Sequence, residues 1–328
     1  MSLRKANVLA VELEHALDEA GFRHHGTMLG RRLGSHRIRA GIYEAASGDT
    51  IWPYHYHRGI EEWLYVLSGE PVLRDPHGER VLAPGDVVCF LANPGGAHTV
   101  RGPGRFMIFS TGAEREPFMS VYPDSGKVSV PEGILLEASA VDYWYGEGTW
   151  ENPPPTPQPR AEDPDAFPRP PIINVDAMVA QMPPQARRPL GFQAREARLG
   201  GKLGAEMLGA TLYELDAGET TSPYHFERGR EEWLLVLSGA PTLRHADGED
   251  VLEAGDAVCF IDGPAGAHQL INRGAERTRL IIFSTMDAHS TVYYPDSGKL
   301  LIRPGDGERL VFRTADAVDY WDGETAPR

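Results

Sequence analysis

A long internal repeat is the feature that most limits what this chain can fold into. Residues 61–98 read EEWLYVLSGEPVLRDPHGERVLAPGDVVCFLANPGGAH, and residues 231–268 read EEWLLVLSGAPTLRHADGEDVLEAGDAVCFIDGPAGAH. The two segments align without a gap at an offset of 170 residues, and the motif YPDSGK also occurs in each half, at 122–127 and 294–299. A repeat of this length indicates two copies of one domain in tandem.

The domain boundaries follow from the repeat and from one proline-rich segment. A chain of 328 residues has room for two compact domains. Residues 151–171 contain the run NPPPTPQPRAEDPDAFPRPP, in which proline removes backbone donors and disfavours both helix and central strand. We therefore expect an N-terminal domain over 1–150, an extended linker over 151–171 and a C-terminal domain over 172–328.

The local pattern in each half is typical of short β-strands. The segments 61–67 and 87–91 are rich in β-branched and aromatic residues, and turns with Gly or Pro adjoin them. The chain has 36 Gly and 27 Pro, enough for many such turns. The pattern predicts an all-β fold, either a barrel or a sandwich.

One departure from the all-β pattern is expected near the N-terminus. Apolar residues recur there every three or four positions, which is the spacing of one helix face. They are Leu9, Leu13, Ala16, Leu17 and Ala20. The spacing predicts a single amphipathic helix in this segment.

Charge and hydropathy argue against some partners. The formal net charge is −15, from 32 basic and 47 acidic residues, and such a charge repels nucleic acid and anionic membranes. The chain has no apolar run of about 18 residues, and Glu12 and Glu14 interrupt the segment where a signal peptide has its apolar core. We expect a cytoplasmic protein with no nucleic-acid or membrane partner.

The two cysteines occupy matching positions of the repeat. Cys89 lies in GDVVCF and Cys259 in GDAVCF. A disulfide would have to join the same point of two separate domains, and neither thiol has an adjacent histidine that could activate it. We interpret both as buried, unreactive thiols.

The most informative segment contains two histidines. His55 and His57 stand at i and i+2, so a strand would point both imidazoles to one face. A turn then leads to Glu62, and the repeated segment ends in another histidine, His98. Three neutral imidazoles and one carboxylate suit a first-row divalent ion and leave coordination positions open for water or substrate. The sequence therefore predicts a metal site at these four residues.

These residues resemble the two sequence motifs of the cupin superfamily, G-x5-H-x-H-x3-4-E-x6-G and G-x5-P-x-G-x2-H-x3-N. The spacing to Gly69 selects Glu62 over Glu61 as the carboxylate, although six residues rather than five separate Gly48 from His55. The second motif lacks its final asparagine in the first half. Because the resemblance covers both halves, it implies a bicupin with two tandem double-stranded β-helix, or jelly-roll, barrels. The segments GDVVCF and YPDSGK are similar to those of bacterial bicupins without a settled activity.

The repeat places a second, altered set of residues in the C-terminal half. At the offset of 170 the four positions are His225, Glu227, Glu232 and His268. Two imidazoles and two carboxylates can still bind a divalent ion. Alternatively, the second site has lost its metal, and Glu227 forms an ion pair with Arg228 or Arg230. The sequence leaves both interpretations open.

Further candidates for the barrel interiors come from the repeat. Tyr43 and Glu44 recur as Tyr213 and Glu214, and strand alternation points one member of each pair inward. We expect Trp63 and Trp233, which directly follow the glutamates of the motif, to face away from the metal. The motif YPDSGK is interpreted as a turn, although its lysines, Lys127 and Lys299, could also approach an anionic ligand.

The resemblance allows several functions. Cupins with this ligand set include oxalate decarboxylases, ring-cleaving dioxygenases and sugar isomerases, which implies a metal-dependent enzyme acting on a small polar or aromatic molecule. The divalent metal would be iron, manganese, zinc or nickel. An alternative is a non-catalytic binding protein or sensor whose metal orients a metabolite. No catalytic residue is assigned, and no cofactor other than the metal is expected.

The sequence does not determine the oligomeric state. Two similar halves can pair by pseudo-twofold symmetry within one chain, as two subunits would in a dimer. A monomer of this kind and a homo-oligomer are both compatible with the repeat. The one partner that the sequence predicts is a small-molecule ligand.

Overall fold

The structure, a computed structural model, describes residues 3–112, 119–140, 166–182, 189–286, 289–305 and 307–324. Within these ranges the regular secondary structure consists mainly of short strands, as the sequence predicts. The helices are α1 (Gly30–Leu33), α2 (Val175–Val179) and α3 (Gly200–Leu203). No helix in the described ranges is long and apolar enough to span a membrane.

The strands follow one another in the same order in the two halves. The strands of the N-terminal half are β1 (Lys5–Asn7), β2 (His15–Glu19), β3 (Phe22–Met28), β4 (Ile38–Ala45), β5 (Tyr56–Arg58), β6 (Glu62–Gly69), β7 (Val72–Asp75), β8 (Gly78–Val81), β9 (Asp86–Phe90), β10 (Thr99–Arg101), β11 (Gly104–Thr111), β12 (Met119–Tyr122), β13 (Lys127–Val130) and β14 (Gly133–Leu136). The strands of the C-terminal half are β15 (Ile172–Asn174), β16 (Arg195–Arg198), β17 (Leu208–Leu215), β18 (Phe226–Arg228), β19 (Glu232–Ser238), β20 (Thr242–His245), β21 (Gly248–Val251), β22 (Asp256–Phe260), β23 (His268–Ile271), β24 (Thr278–Thr285), β25 (Ser290–Tyr294), β26 (Lys299–Arg303) and β27 (Leu310–Arg313).

Each half forms a barrel from one large antiparallel sheet and two smaller ones. The N-terminal barrel has the strand orders β15-β9-β6-β11-β4-β3-β2, β14-β13-β12-β5 and β10-β7-β8. The C-terminal barrel has the orders β1-β22-β19-β24-β17-β16, β18-β25-β26-β27 and β21-β20-β23. This is the predicted all-β architecture of two tandem jelly-roll barrels.

The two barrels exchange strands. β1 pairs with β22 in the C-terminal barrel, and β15 pairs with β9 in the N-terminal barrel. Lys5 Nζ donates to the carboxylate of Asp256 at 2.7 Å, and Asn174 Nδ2 donates to that of Asp86 at 2.9 Å. The first strand of each half, β1 or β15, therefore pairs with the barrel of the other half.

A shared apolar core lies between the barrels. Trp63 and Phe109 from the N-terminal half meet Trp233 and Phe283 from the C-terminal half, and the two phenylalanine rings stack with their centroids 4.1 Å apart. Burying a side chain such as phenylalanine contributes about 1.5–3 kcal/mol. As predicted, both tryptophans face away from the barrel interiors, which have separate cores of their own.

Two buried glutamates bind loops of the opposite barrel. The Glu61 carboxylate accepts hydrogen bonds from the backbone N–H groups of residues 206, 207 and 208, at 2.7, 3.1 and 2.9 Å. The Glu231 carboxylate accepts them from residues 36, 37 and 38, at 2.7, 3.1 and 2.9 Å. Each of these glutamates directly precedes a glutamate of the predicted metal sites, Glu62 or Glu232. The contact between the barrels therefore helps to fix the backbone position of that next glutamate.

The amphipathic helix predicted over residues 9–20 is wrong. β2 and β3 form an antiparallel hairpin instead, and the chain turns at Ala20 and Gly21, whose φ values are 53° and 89°. β3 also pairs with β4, so this segment extends the large sheet of the N-terminal barrel. A short helix with few tertiary contacts is marginal in water, and pairing with an open sheet edge outweighs its helical spacing.

The division into domains at 1–150 and 172–328 stays a prediction. Residues 151–165 of the predicted linker lie outside the described residues. The remaining part of that segment leads into β15, where Ile172 lies opposite Val88 of the N-terminal barrel.

Candidate metal centre

The backbone brings two of the predicted ligands side by side. The N–H of His55 donates to the carbonyl of His98 at 3.1 Å, and the N–H of His98 donates to the carbonyl of His55 at 2.8 Å. His57 lies two residues further on, in β5, and its ring centroid is 4.8 Å from that of His55. Glu62 begins β6 and faces the same space. The four side chains are therefore neighbours, and three of them, His55, Glu62 and His98, form a group that could hold a metal ion.

The tight turn before His98 depends on glycine. A Cβ atom at Gly96 would lie only 2.1 Å from the carbonyl oxygen of Leu91, which no side chain could tolerate. Gly266 occupies the same position in the C-terminal barrel, where a Cβ would lie 1.9 Å from the carbonyl oxygen of Ile261. The glycines before each histidine thus let the backbone turn sharply enough to aim the imidazole inward.

Backbone carbonyls fix the orientation of two imidazoles. Nδ1 of His55 donates to the carbonyl of Pro53, and Nδ1 of His98 donates to that of Gly96, both at 2.9 Å. Because a carbonyl can only accept, the proton stays on Nδ1 and the lone pair is on Nε2. Nε2 of His98 is buried and has no hydrogen-bond partner among the described residues. A metal ion is the partner that suits such a lone pair, since ligating histidines are held in this way.

The distances between ligand atoms fit one ion. The ligand atoms of His55, Glu62 and His98 all lie within 4.8 Å of one another. Oε2 of Glu62 lies 3.1 Å from Nε2 of His57 and 3.5 Å from Nε2 of His98. Ligands that each lie about 2.1 Å from one ion are about 3–4 Å apart. This His/Glu group could therefore bind a metal.

Burial and charge set the protonation of the group. Burial would raise the pKa of Glu62, but the facing imidazoles outweigh it and hold that pKa at about 2. Burial lowers the pKa of His98 to about 3. Burial also acts to lower the pKa of His57, yet the nearby Glu62 carboxylate raises it overall. An ionised carboxylate beside a neutral, buried imidazole is the state that binds a cation.

Aromatic side chains pack against the ligand group. The Phe90 ring stacks on His98 with centroids 3.7 Å apart, and the Tyr122 ring stacks on His55 at 5.9 Å. Ser120 Oγ lies 2.9 Å from Nδ1 of His57 and so holds the third imidazole. These contacts restrict the rotation of the three imidazoles.

The C-terminal barrel repeats three of the four positions, with His225, Glu232 and His268 in place of His55, Glu62 and His98. His225 and His268 exchange backbone hydrogen bonds at 3.1 and 2.8 Å, and their Nδ1 atoms donate to the carbonyls of Pro223 and Gly266 at 2.9 Å. The ligand atoms of His225, Glu232 and His268 lie within 4.8 Å of one another. A second His/Glu group that could bind metal is therefore present.

Glu227, the fourth position of that set, is engaged elsewhere. Arg303 Nη1 donates to Oε1 of Glu227 at 3.1 Å, and Arg230 Nε lies 3.6 Å from Oε2. The sequence names Arg228 as another possible partner, but Arg228 lies 4.0 Å from Asp262 instead. Glu227 is thus in an ion pair, as one of the two interpretations requires.

The charge balance differs between the two barrels. In the C-terminal barrel, burial and the nearby Glu227 raise the pKa of Glu232 to about 8, against the opposing effect of Arg230 and Arg303. In the N-terminal barrel, the pKa of Glu62 is held at about 2. The carboxylate of the C-terminal group therefore holds its proton far more tightly than that of the N-terminal group.

Comparison with known families decides the identity of the fold. A model of the cupin domain matches residues 41–111 and, a second time, residues 211–284. The chain is a bicupin. Each match spans the histidine pair or its counterpart and ends in the last long strand of the barrel, β11 or β24. No curated protein matches the sequence.

Three solved structures with similarity to this chain are a bicupin enzyme and two shorter cupins. The oxalate decarboxylase of Lactobacillus farciminis, solved as a formate complex, is 15% identical and covers 87% of this chain and 86% of its own, with a TM-score of 0.52. A proposed sugar phosphate isomerase from Acidithiobacillus ferrooxidans is 29% identical over 39% of this chain and 81% of its own, with a TM-score of 0.37. A cupin sugar phosphate isomerase from Silicibacter pomeroyi is 22% identical over 44% of this chain and 96% of its own, with a TM-score of 0.39. The likeness to the decarboxylase extends over both barrels and shows the fold alone.

Strand alternation settles which repeated residues of the bicupin face inward. Tyr43 and Tyr213 pack against the interior cores of their barrels. Their neighbours form ion pairs, Glu44 with Arg105 at 3.1 Å and Glu214 with Arg279 at 2.8 Å. Burial and the Glu62 charge raise the pKa of Tyr43 to about 12, so its phenol keeps its proton at neutral pH.

The YPDSGK motif forms a turn in both halves, as predicted. Its lysines lie over the tyrosine rings of the same motif, with Lys127 Nζ 5.5 Å from the Tyr122 centroid and Lys299 Nζ 5.4 Å from the Tyr294 centroid. No local pattern in the sequence connects these tyrosines with the candidate metal groups. Their recurrence in both halves was the available signal, but only the strand pairing places them beside the histidines.

Both cysteines are free thiols. Cys89 is buried and Cys259 is half-buried, and burial raises the pKa of each thiol. Neither forms a thiolate at neutral pH, in keeping with the predicted unreactive role.

Proposed function

We propose that the N-terminal barrel binds one divalent transition-metal ion and that the bicupin is a metal-dependent enzyme acting on a small polar metabolite. The proposed ligands are His55, His57, Glu62 and His98. The observation that carries the proposal is the buried, unpartnered Nε2 of His98, which lies 3.5 Å from Oε2 of Glu62. An uncompensated polar atom of this kind costs about 1–3 kcal/mol, which binding of a cation would offset.

The side chains around the group suit catalysis inside a closed barrel. A divalent ion in such a site polarises a bound carbonyl or carboxylate group and leaves positions for substrate. Leu64, Phe90 and Ile108 form apolar walls that exclude water from the interior. Tyr43 keeps its proton and can serve as a hydrogen-bond donor, but not as a base. Decarboxylation, dioxygenation and isomerisation are the reaction classes to test.

The C-terminal barrel has a structural role in this proposal. Glu227 is neutralised by Arg303 and Arg230, so its carboxylate is already paired with a fixed cation. Val292 lies opposite Glu227 at the position where Ser120 lies opposite His57, so the hydroxyl that holds the third imidazole is absent. We therefore expect one metal ion per chain.

Metal analysis of matched variants tests the proposal. His98→Ala removes a ligand from the N-terminal group, and His268→Ala removes the equivalent residue of the other barrel, which is equally buried and stacked on Phe260. We expect one metal equivalent in the wild type and in His268→Ala, and less than 0.1 equivalent, on the order of a tenfold loss or more, in His98→Ala. Metal retained by a folded His98→Ala protein would overturn the proposal.

A reaction screen tests the enzymatic part. The metal-loaded protein is offered small acids, phenols and sugar phosphates while carbon dioxide release, oxygen uptake and isomer formation are followed. Turnover that disappears in a folded, metal-free His57→Ala protein would support an enzyme. Tight binding of a metabolite with no product from any compound would replace the enzyme by a metal-dependent binding protein.

A further inference from the structure

An arginine of β4 faces the interior of the N-terminal barrel. Successive side chains of a strand point to opposite faces. Ile38, Ala40 and Ile42 belong to the core between the barrels, so Arg39 and Tyr43 lie on the inner face. Tyr43 indeed packs against the interior core. Arg39 is thus the one cationic residue that β4 directs toward the metal-ligand group.

The strand register places Arg39 level with the carboxylate ligand. Arg39 lies opposite Ser110 of β11, and Ser110 lies opposite Glu62 of β6. Two strand spacings separate the Cα atoms of Arg39 and Glu62 by about 10 Å. Arg39 also acts electrostatically on the group: burial and Glu62 raise the pKa of Tyr43, and the charge of Arg39 opposes that rise.

An unpaired donor lies on the same side of the histidines. The Trp52 ring centroid is 6.1 Å from that of His55 and 5.0 Å from that of Tyr43. Nε1 of Trp52 is buried and has no hydrogen-bond partner among the described residues. An indole N–H can only donate, so the partner that would satisfy it carries an acceptor oxygen.

A cationic cavity adjoins this part of the barrel. Its volume is about 330 Å³, and its lining includes Arg31, His36, Arg37 and Arg39. None of the described lining residues is acidic, although the Glu231 carboxylate binds the backbone of residues 36–38 in the same loop and the whole chain has a net charge of −15. Met28 also lines the cavity, and its sulfur lies 3.5 Å from the Tyr43 hydroxyl, so the cavity borders the inner face of β4. Such a cavity attracts small anions.

The C-terminal barrel lacks both residues. Gly209 lies opposite Ser284 at the place where Arg39 lies opposite Ser110. Ser222 takes the place of Trp52, three residues before the first histidine of its motif. The cation and the indole donor therefore occur only in the barrel that has the complete ligand set.

We propose that Arg39 and Trp52 bind the anionic group of a small substrate, a carboxylate or a phosphoryl group, beside the metal centre of the N-terminal barrel. This inference rests on the proposed function, because it names the substrate class of the same site. Arg39 supplies charge and paired N–H donors suited to a planar or tetrahedral oxyanion. Trp52 supplies one further donor, and the remainder of the substrate faces the metal ligands.

Calorimetric titration of the metal-loaded protein tests this assignment. Oxalate, malonate and inorganic phosphate are titrated separately, so that tighter binding of the dicarboxylates or of phosphate identifies the anionic group. We expect one binding site per chain in the wild type. Arg39→Gln should weaken that binding about ten- to a hundredfold, the loss typical of a hydrogen bond to a charged group, with metal content unchanged. Trp52→Phe should weaken it less.

A matched control and two outcomes decide the assignment. Arg101→Gln removes the same charge from an exposed position in β10, where Arg101 pairs with Glu79, and should leave anion binding unaltered. Equal anion affinity in the wild type and in Arg39→Gln, or no binding of any of the three anions to metal-loaded wild type, would overturn the role of Arg39. Absence of metal from the wild-type protein would instead overturn the proposed function itself.

Discussion

At the scale of single residues, the two barrels differ by a coordinated set of substitutions. His57 is held by Ser120, whereas Glu227 lies opposite Val292 and pairs with Arg303. An arginine that pairs with a carboxylate balances part of its charge without a metal ion. The C-terminal barrel thus has a valine in place of the supporting hydroxyl and an arginine that pairs with the carboxylate.

An imidazole introduced at position 227 of the C-terminal barrel should produce metal binding there. The double variant Glu227→His, Val292→Ser recreates the histidine and the hydroxyl that orients it, so we expect metal content to rise from one to about two equivalents per chain. Metal analysis measures this directly, and Val292→Ser alone serves as the control that should stay at one. A wild-type protein that already contains two equivalents, unchanged by the substitutions, would show that the C-terminal site was never lost.

The sequence predicted which side chains lie together better than it predicted what surrounds them. The spacing of His55, His57, Glu62 and His98 is local to two motifs, and the strand period is enough to place them together. Arg39 and Trp52 could not be found in this way, because their position depends on which strands pair and in which register. Motif spacing thus predicts the group that could bind a metal, whereas tertiary pairing determines what surrounds it.

At the scale of elements, the glutamate before each motif glutamate links the barrels. Glu61 has no exposed surface and accepts three backbone N–H groups of the loop that leads into β17. In the sequence, only the spacing of the motif selects Glu62 rather than Glu61 as the candidate metal ligand. The structure gives the physical reason why the two glutamates differ. Alternation along the strand points Glu62 into the barrel and Glu61 toward the opposite barrel.

Removing this charge should weaken the whole molecule. In Glu61→Gln an amide replaces one acceptor oxygen among converging N–H groups, so we expect a loss of about 2–4 kcal/mol in the free energy of unfolding. Urea-induced unfolding measures this loss. The control is Glu206→Gln, which alters an exposed carboxylate on the same loop and should change stability by less than about 0.5 kcal/mol. Equal stability of Glu61→Gln and wild type would contradict this account of the interface.

The N-terminal segment shows where element prediction from sequence fails. Short strands and turns were predicted well, because β-branched residues and Gly or Pro turns are local signals. β2 was predicted as part of a helix, since the apolar spacing of residues 9–20 fits one helix face. The pairing of β3 with β4 is a long-range contact and has no signature in the local pattern.

At the scale of the whole molecule, the two halves of the repeat complete each other's sheets. β1 and β15 cross to the opposite barrel, and the core between the barrels contains aromatic rings from both halves. The repeat predicted two similar barrels, but nothing in the sequence indicated that they exchange strands. Neither half keeps a complete sheet or a buried interface without the other.

Thermal unfolding should therefore occur in one step. We expect differential scanning calorimetry to give a single transition whose calorimetric and van't Hoff enthalpies agree, because each barrel is completed by the other. Two separate transitions would indicate that the barrels fold independently. The same measurement after chelation of the metal should give one transition at a lower temperature, since a ligand that binds only the folded state stabilises it.

The proposal of a single metal ion in the N-terminal barrel is tested most directly by a crystal structure with anomalous diffraction recorded at the absorption edge of the bound metal. We predict one peak in the N-terminal barrel, about 2.0–2.3 Å from Nε2 of His55, His57 and His98 and from a carboxylate oxygen of Glu62, and none between His225 and His268. A peak elsewhere, or no peak in a crystal of metal-loaded protein, would contradict the account.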